Sequence, residues 1–281
     1  MSPLTPEEQA RWDSYFSYED RRVLSNIPGI TDFEEWKRAE YSHVEQRFFD
    51  LRSGEISVPA TFDVDHARAV HGALFEGFYE WAGECRQVPL SDGLIDFAPY
   101  DQIALTLSEA GDYFKQYLES GGDREAFVTA ACEATSRWNY AHPFREGNGR
   151  TMKVVLNQFA ESTPWKFEFS RVTPDQWNTA SMLSMPAADT QWQPQPQNLF
   201  AVFDRITVDR VQENHTGGGD SREARLEALR EVDPQAAEVI DQAAKNRVVG
   251  ARRRHGYTPP EAAATRYRPP QQRSTDRGME R

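Results

Sequence analysis

Four stretches of the chain space their apolar residues at the period of an α-helix, and together they restrict it to a helical bundle. Phe33, Trp36, Val44, Phe48 and Leu51 fall on one face, and Val64, Ala67, Val70, Leu74, Phe78 and Trp81 do so after Asp63. Ile103, Leu107, Ala110, Phe114 and Tyr117 form a third stripe, and Phe127, Ala131, Ala134, Trp138 and Ala141 a fourth. Helix starts are marked by hydroxyl residues with Glu or Gln three positions on: Thr5-Pro6-Glu7-Glu8, Thr31-Asp32-Phe33-Glu34 and Thr173-Pro174-Asp175-Gln176. In such boxes the two side chains satisfy backbone N–H groups that a helix start leaves unpaired. The aromatic residues of the stripes therefore read as core. With 281 residues, the chain can bury that core without metal or disulfide staples. Its two cysteines, Cys85 and Cys132, lie 47 positions apart and read as free thiols.

The charge is unevenly spread. Residues 1–205 carry 18 basic against 32 acidic residues, a net of −14, whereas the stretch from Lys245 onward carries 10 against 3, a net of +7. The two parts are expected to do different jobs. Thr216-Gly217-Gly218-Gly219-Asp220 reads as a linker. The expected organisation is an acidic helical body over 1–205, a linker over 206–220, a short helical segment over 221–249 (helices at 222–232 and 235–248), and a basic, disordered tail over 250–281. A solvated end is the default reading of that tail. Contact with nucleic acid is not expected, because Tyr257 and Tyr267 are its only aromatic residues, and a signal for translocation is a third reading. No run approaches the ~20 apolar residues of a membrane span, so no membrane partner is expected. Met1-Ser2-Pro3-Leu4-Thr5 does not read as a secretory leader, which points to the cytoplasm.

The helical period fails between Glu84 and Tyr100. Gln87-Val88-Pro89-Leu90 and Ile95-Asp96-Phe97-Ala98 flank Ser91-Asp92-Gly93-Leu94 and read as a short β-hairpin. A lone hairpin on a helical protein is either a connector or an edge to which another chain adds a strand.

The chemistry concentrates in His142-Pro143-Phe144-Arg145-Glu146-Gly147-Asn148-Gly149-Arg150, a loop that ends one amphipathic helix and feeds the next, where Val154, Val155, Leu156 and Phe159 resume the pattern. Gly147 and Gly149 permit backbone N–H groups to converge at a helix N-terminus, which binds phosphate. The imidazole of His142 suits a general base. Glu146 offers a hard oxygen to Mg²⁺ shared with a polyphosphate. Asn148 can donate to a phosphate oxygen, Arg150 can grip phosphate with two teeth, and Phe144 anchors the loop in the core. A plain Gly-Asn-Gly helix cap is the alternative at this level.

His142 to Arg150 is similar over nine unbroken residues to the signature of Fic-domain proteins, His-Pro-Phe-x-[Asp/Glu]-Gly-Asn-Gly-Arg-x-x-Arg. The run from Leu74 to Arg86 resembles the family's approach to its hairpin, residues 87–99 its target-docking flap, and Asn26 to Asp32 its N-terminal approach, so the resemblance spans about 15–205. The resemblance implies an all-α, Fic-type helical bundle with a small β-hairpin flap, followed by the basic extension. It implies a protein adenylyltransferase that moves AMP from ATP to a Ser, Thr or Tyr hydroxyl of a target protein and releases pyrophosphate. His142 would be the base and Glu146 the Mg²⁺ ligand. Gly147, Asn148 and Gly149 would cradle the α-phosphate, Arg150 would hold the outer phosphates, and Arg145 and Lys153 would join the nucleotide site. Lys153 stands where the family has its final Arg, keeping the charge without the planar fork. Val88, Pro89, Leu90, Ser91 and Phe97 would dock the target.

Two other readings stay open: transfer of another phosphate-containing group (UMP, phosphocholine or phosphate), or a catalytically weak interaction protein on the same fold. The family's inhibitory segment, [Ser/Thr]-x-x-x-Glu-[Gly/Asn], has no intact copy here; Thr31 to Trp36 comes nearest, with Trp36 in the last position. A small antitoxin-like protein acting in trans is therefore the expected partner besides the target. Kinship with effectors also leaves export through a secretion machine as an alternative to a cytoplasmic bacterial location.

Overall fold

The computed structural model describes residues 4–91, 96–186 and 193–210. The described residues form eight α-helices: α1 (Pro6–Ser14), α2 (Phe33–Ser53), α3 (Val64–Phe75), α4 (Ile103–Ser120), α5 (Arg124–Ala141), α6 (Asn148–Glu161), α7 (Pro174–Leu183) and α8 (Phe200–Ile206). Two short strands, β1 (Trp165–Phe167) and β2 (Thr207–Asp209), pair antiparallel, with Lys166 opposite Val208. The all-α bundle expected from the stripes is present.

The four stripes become the inner faces of α2 to α5. All five members of the third and all five of the fourth are buried. A short turn, 121–123, joins α4 to α5 and folds them back as neighbours. Between them sits Phe159 of α6, its ring 4.4 Å from Phe114 and 5.0 Å from Phe127. Burying each such ring stabilises the bundle by about 1.5–3 kcal/mol. Where α4 crosses the segment before α3 there is no space for a side chain: a Cβ on Gly111 would lie 1.7 Å from the Phe62 carbonyl oxygen.

The capping boxes at Thr5 and Thr173 form as expected. That at Thr31 does not. Asp32 is the N-cap of α2, its carboxylate accepting from Glu35 N at 2.8 Å, since a charged acceptor outcompetes a hydroxyl at a positive helix end. The second stripe outlasts its helix. α3 stops at Phe75, and Gly77 turns the chain at φ +83°; Phe78 and Trp81 are buried from that turn instead.

Of the expected hairpin, the described residues show one bridge, Ser91 with Asp96, and one further bond, Phe97 N to Leu90 O at 3.1 Å. Residues 92–95 lie outside the described residues. At the root of the stems the backbone groups are engaged elsewhere. Pro89 has no N–H, Ala98 N donates to Tyr140 O at 2.8 Å, and the Val88 and Ala98 carbonyls are both taken by Arg86. The root of the flap is thus stitched to the end of α5.

The boundary expected at 205 also moves. α8 runs through Ile206, β2 returns against β1, and Arg210 N donates to Pro164 O at 2.7 Å, so the body continues to Arg210. The rest of the linker, the helices expected at 222–232 and 235–248, and the basic tail lie outside the described residues.

Candidate active site

Helix α5 ends at Ala141 because Pro143 follows and cannot extend it. His142 is its C-cap, left-handed at φ 38°, ψ 62°, a conformation uncommon for any residue with a side chain. Its N–H donates to Trp138 O at 3.0 Å, and its imidazole stacks on the flap's Phe97 with ring centres 3.9 Å apart. The candidate base thus lies directly under the candidate target dock.

The next six residues turn tightly into α6. Phe144 is fully buried, its ring stacked 3.9 Å from that of His71. The buried Asn148 side chain closes the turn on itself, Oδ1 accepting from Phe144 N and Nδ2 donating to Phe144 O, both at 2.8 Å. Both Asn148 bonds shape the loop, a duty the sequence reading did not foresee for a residue it assigned to phosphate. Gly147 is the N-cap of α6 at φ +79°, and a Cβ there would sit 2.4 Å from the Phe75 ring. Because no side chain caps α6, the N–H groups of its first turn are offered outward, with Gly149 exposed.

That helix end opens onto a cavity of about 310 Å³ lined by Glu146 to Arg150, Lys153, Tyr41 of α2 and a wall from Phe169 to Asn178. Arg150 is nearly buried in it. Nη1 donates to Glu40 at 3.0 Å, Nη2 to Glu146 at 3.3 Å, and the guanidinium lies 4.9 Å from the Phe75 ring centre. Lys153, one turn on, places Nζ 5.3 Å and 5.2 Å from the ring centres of Phe169 and Trp177. Arg145 departs from its expected place. It is not among the cavity's lining residues; its guanidinium lies over Trp12, at 4.8 Å, and beside Phe16 and Tyr15. It fastens the N-terminal segment to the loop, because three rings offer a cation more than open solvent beside an acidic neighbour. Val88 is buried, while Leu90, Ser91 and Phe97 are half-buried on the flap.

Glu146 accepts Gly147 N at 2.9 Å and Arg150 through the same Oε1. Among the described residues no group of three or more His, Cys, Asp or Glu converges as a protein-only metal site. A single carboxylate lining a cavity beside phosphate-binding N–H groups still fits Mg²⁺, which takes one or two carboxylates and completes its shell with water and phosphate.

Several functional groups lie one layer below and were missed from sequence. Glu40 is 3% exposed and accepts from Tyr79 Oη at 2.7 Å as well as from Arg150. Burial pushes its carboxyl up, against the pull of Arg150, and holds Tyr79 well above the usual phenol range. The trace was present in α2: Trp36, Glu40, Val44 and Phe48 are each four apart, so an acid occupies a core position. His71 is wholly buried and set beneath the loop. Its Nδ1 accepts from Gly83 N at 2.8 Å, so Nε2 carries the hydrogen and donates to Glu146 O at 3.1 Å. Burial lowers this imidazole to about 3, which keeps it neutral.

The Fic/DOC family model matches residues 61–160, from the turn before α3 to the last turns of α6. Protein adenylyltransferase VbhT of Bartonella schoenbuchensis is 34% identical over 164 residues, covering 58% of this chain and 34% of VbhT. The chain thus spans about a third of that relative. Probable protein adenylyltransferase y4lH of Sinorhizobium fredii is 31% identical over 172 residues, covering 59% of this chain and 85% of that protein. The chain belongs to the Fic/DOC family. Its Fic fold is matched by the N-terminal Fic domain of a VirB-translocated Bep effector from Bartonella quintana, solved with bound ADP: TM-score 0.59, 25% identity, covering 69% of this chain and 94% of that one. No described helix is long and apolar enough to cross a membrane.

Proposed function

We propose that this Fic protein is a protein adenylyltransferase. The observation that carries the reading is the uncapped N-terminus of α6, folded around Gly147 onto a cavity and set beside an imidazole under the flap. ATP would bind with its phosphates at the N–H groups of the first turn of α6, with Arg150 and Lys153 neutralising the outer phosphates. A Mg²⁺ ion held by Glu146 and the phosphates would supply further charge neutralisation. A target segment lying on the flap would bring its hydroxyl beside His142. The imidazole takes the hydroxyl proton as the oxygen bonds to the α-phosphorus. The bond to the pyrophosphate oxygen breaks, and AMP remains on the target as a phosphodiester. Positioning and charge complementarity carry most of this catalysis.

The named activities of VbhT and y4lH support the reading, as does ADP in the Bartonella quintana domain. The acceptor is a Ser, Thr or Tyr side chain, and the setting is the bacterial cytoplasm. Because no inhibitory segment is intact in the sequence, a small protein supplied in trans is proposed to hold the enzyme off; a lone chain that is stable, fully active and binds no product of a neighbouring gene would remove that partner. The central test incubates the protein with Mg²⁺, cell lysate and ATP labelled on its α-phosphate. Label should appear on a protein band with the native chain and vanish with His142→Ala. Label only from another nucleotide or phosphate donor would move the reading to that group.

A further inference from the structure

Arg86 is a buried cation without an acidic partner. It is 1% exposed, and among the described residues no carboxylate pairs with it. All its recorded acceptors are backbone carbonyls. Nε donates to His142 O at 2.8 Å and Nη1 to Val88 O at 2.9 Å, while Nη2 donates to Ala98 O at 2.5 Å and Ala141 O at 3.0 Å. A charge so far from water is costly and persists only where its donors are satisfied. Burial lowers this guanidinium to about 10, which still leaves it charged at neutral pH. Two of the acceptors lie at the C-terminal end of α5, where the helix dipole favours a cation.

The identity of the four carbonyls gives the arrangement a purpose. Val88 and Ala98 are the two stems of the flap, and Ala141 and His142 are the last turn and C-cap of the helix that carries the base. The Arg86 backbone adds a fifth tie, its N–H donating to Pro143 O at 2.7 Å. The planar fork spans flap and base in one rigid unit, which a point charge on a flexible stem cannot reproduce. We propose that Arg86 is a positioning residue for the transfer reaction: it fixes the flap relative to His142, so that a hydroxyl presented on the flap lies within reach of the imidazole. The proposal rests on the adenylyl-transfer reading. It assigns Arg86 no contact with nucleotide, since Arg86 is not among the residues lining the cavity.

The test compares the native chain with Arg86→Lys and Arg86→Ala. In Arg86→Lys, kcat for target modification is expected to fall about 100-fold, the usual cost of a displacement near 1 Å. ATP affinity, measured by direct titration, stays within about threefold, the pattern of a lost alignment rather than a lost binding contact. Hydrogen exchange should quicken at the amides of Arg86, Phe97 and Ala98, which bond Pro143, Leu90 and Tyr140, while the interiors of α4 and α5 remain protected. If Arg86→Ala folds, millimolar guanidinium should restore part of kcat. Native kcat in Arg86→Lys would overturn the proposal. Faster exchange throughout α4 and α5, with ATP affinity falling in step with kcat, would reduce Arg86 to general stability and overturn it equally. Should the native chain transfer no AMP, the adenylyl reading fails on its own. The exchange pattern of Arg86→Lys then still decides whether Arg86 couples flap to base.

Discussion

The loop at 142–150 is held from beneath by buried polar side chains, whereas the described ties of the flap at 87–99 gather at its root. His71 bonds the Glu146 carbonyl, Asn148 closes on Phe144, and Glu40 grips Arg150. Among its described residues the flap has one bridge, Ser91 with Asp96, and Asp96 is exposed. The difference matches two demands. A phosphate and a proton acceptor must be fixed in advance, since reorganising them during reaction raises the barrier. A flap that recognises backbone can adapt to its guest, because strand addition asks little of side-chain identity.

The comparison breaks first at the base. If the loop supplies chemistry and not only architecture, His142→Ala lowers the rate of target labelling by about 10²–10⁴-fold, with little change in melting temperature. A fall in melting temperature large enough to explain the lost rate would instead make His142 a structural cap. Next comes the buried pair. Arg150→Met strips Glu40 of its cation in a site 3% exposed and is expected to destabilise the fold by about 3–5 kcal/mol in urea unfolding. Adding Glu40→Gln, whose amide can still meet Tyr79, should recover much of that stability and none of the transfer activity. A double variant that regains activity would remove Arg150 from the phosphate site.

That pair also shows where sequence reasoning ran out. The helices were legible because burial leaves a period, and the loop because phosphate chemistry compresses its residues into nine positions. Glu40, Tyr79 and Arg150 are 39 and 71 positions apart along the chain, and the packing of α3 against both α2 and α6 brings them together. Asp32 displacing Thr31 as cap is a local contest between neighbours with similar signals. Arg145 was assigned to phosphate through its place in the signature, yet its direction depends on three rings in and just after α1. Arg86 takes the stem carbonyls of Val88 and Ala98, a role no local pattern announces.

A third prediction concerns what holds the loop as pH falls. The folded-state value of His71 is about 3, well below its ordinary 6.5, and that of His43 is about 4, in both cases through burial. Below pH 6.5 the unfolded chain therefore binds protons that the folded chain refuses. The stability these neutral imidazoles contribute is complete above 6.5 and is lost progressively as pH drops, by about 1.4 kcal/mol per pH unit for each. His71→Asn should flatten the decline of unfolding free energy between pH 6.5 and 4 by about one proton's worth, whatever it costs at neutral pH. An unchanged slope would mean that His71 already accepts a proton in the folded loop.

The smallest effect is expected on the flap, where it separates the two regions most cleanly. Phe97 is half-buried, and its ring stacks on that of His142. Phe97→Ala should cost about 0.5–1.5 kcal/mol of stability, the worth of one aromatic pair. It should leave ATP titration unchanged, because Phe97 is not among the cavity's lining residues. Modification of the target should weaken chiefly through KM, since the extended segment loses a wall but the phosphate site keeps its form. If ATP affinity fell together with target affinity, flap and loop would be one binding surface. The division between a rigid chemical loop and an adaptable dock would then have to be redrawn with Phe97 on the nucleotide's side.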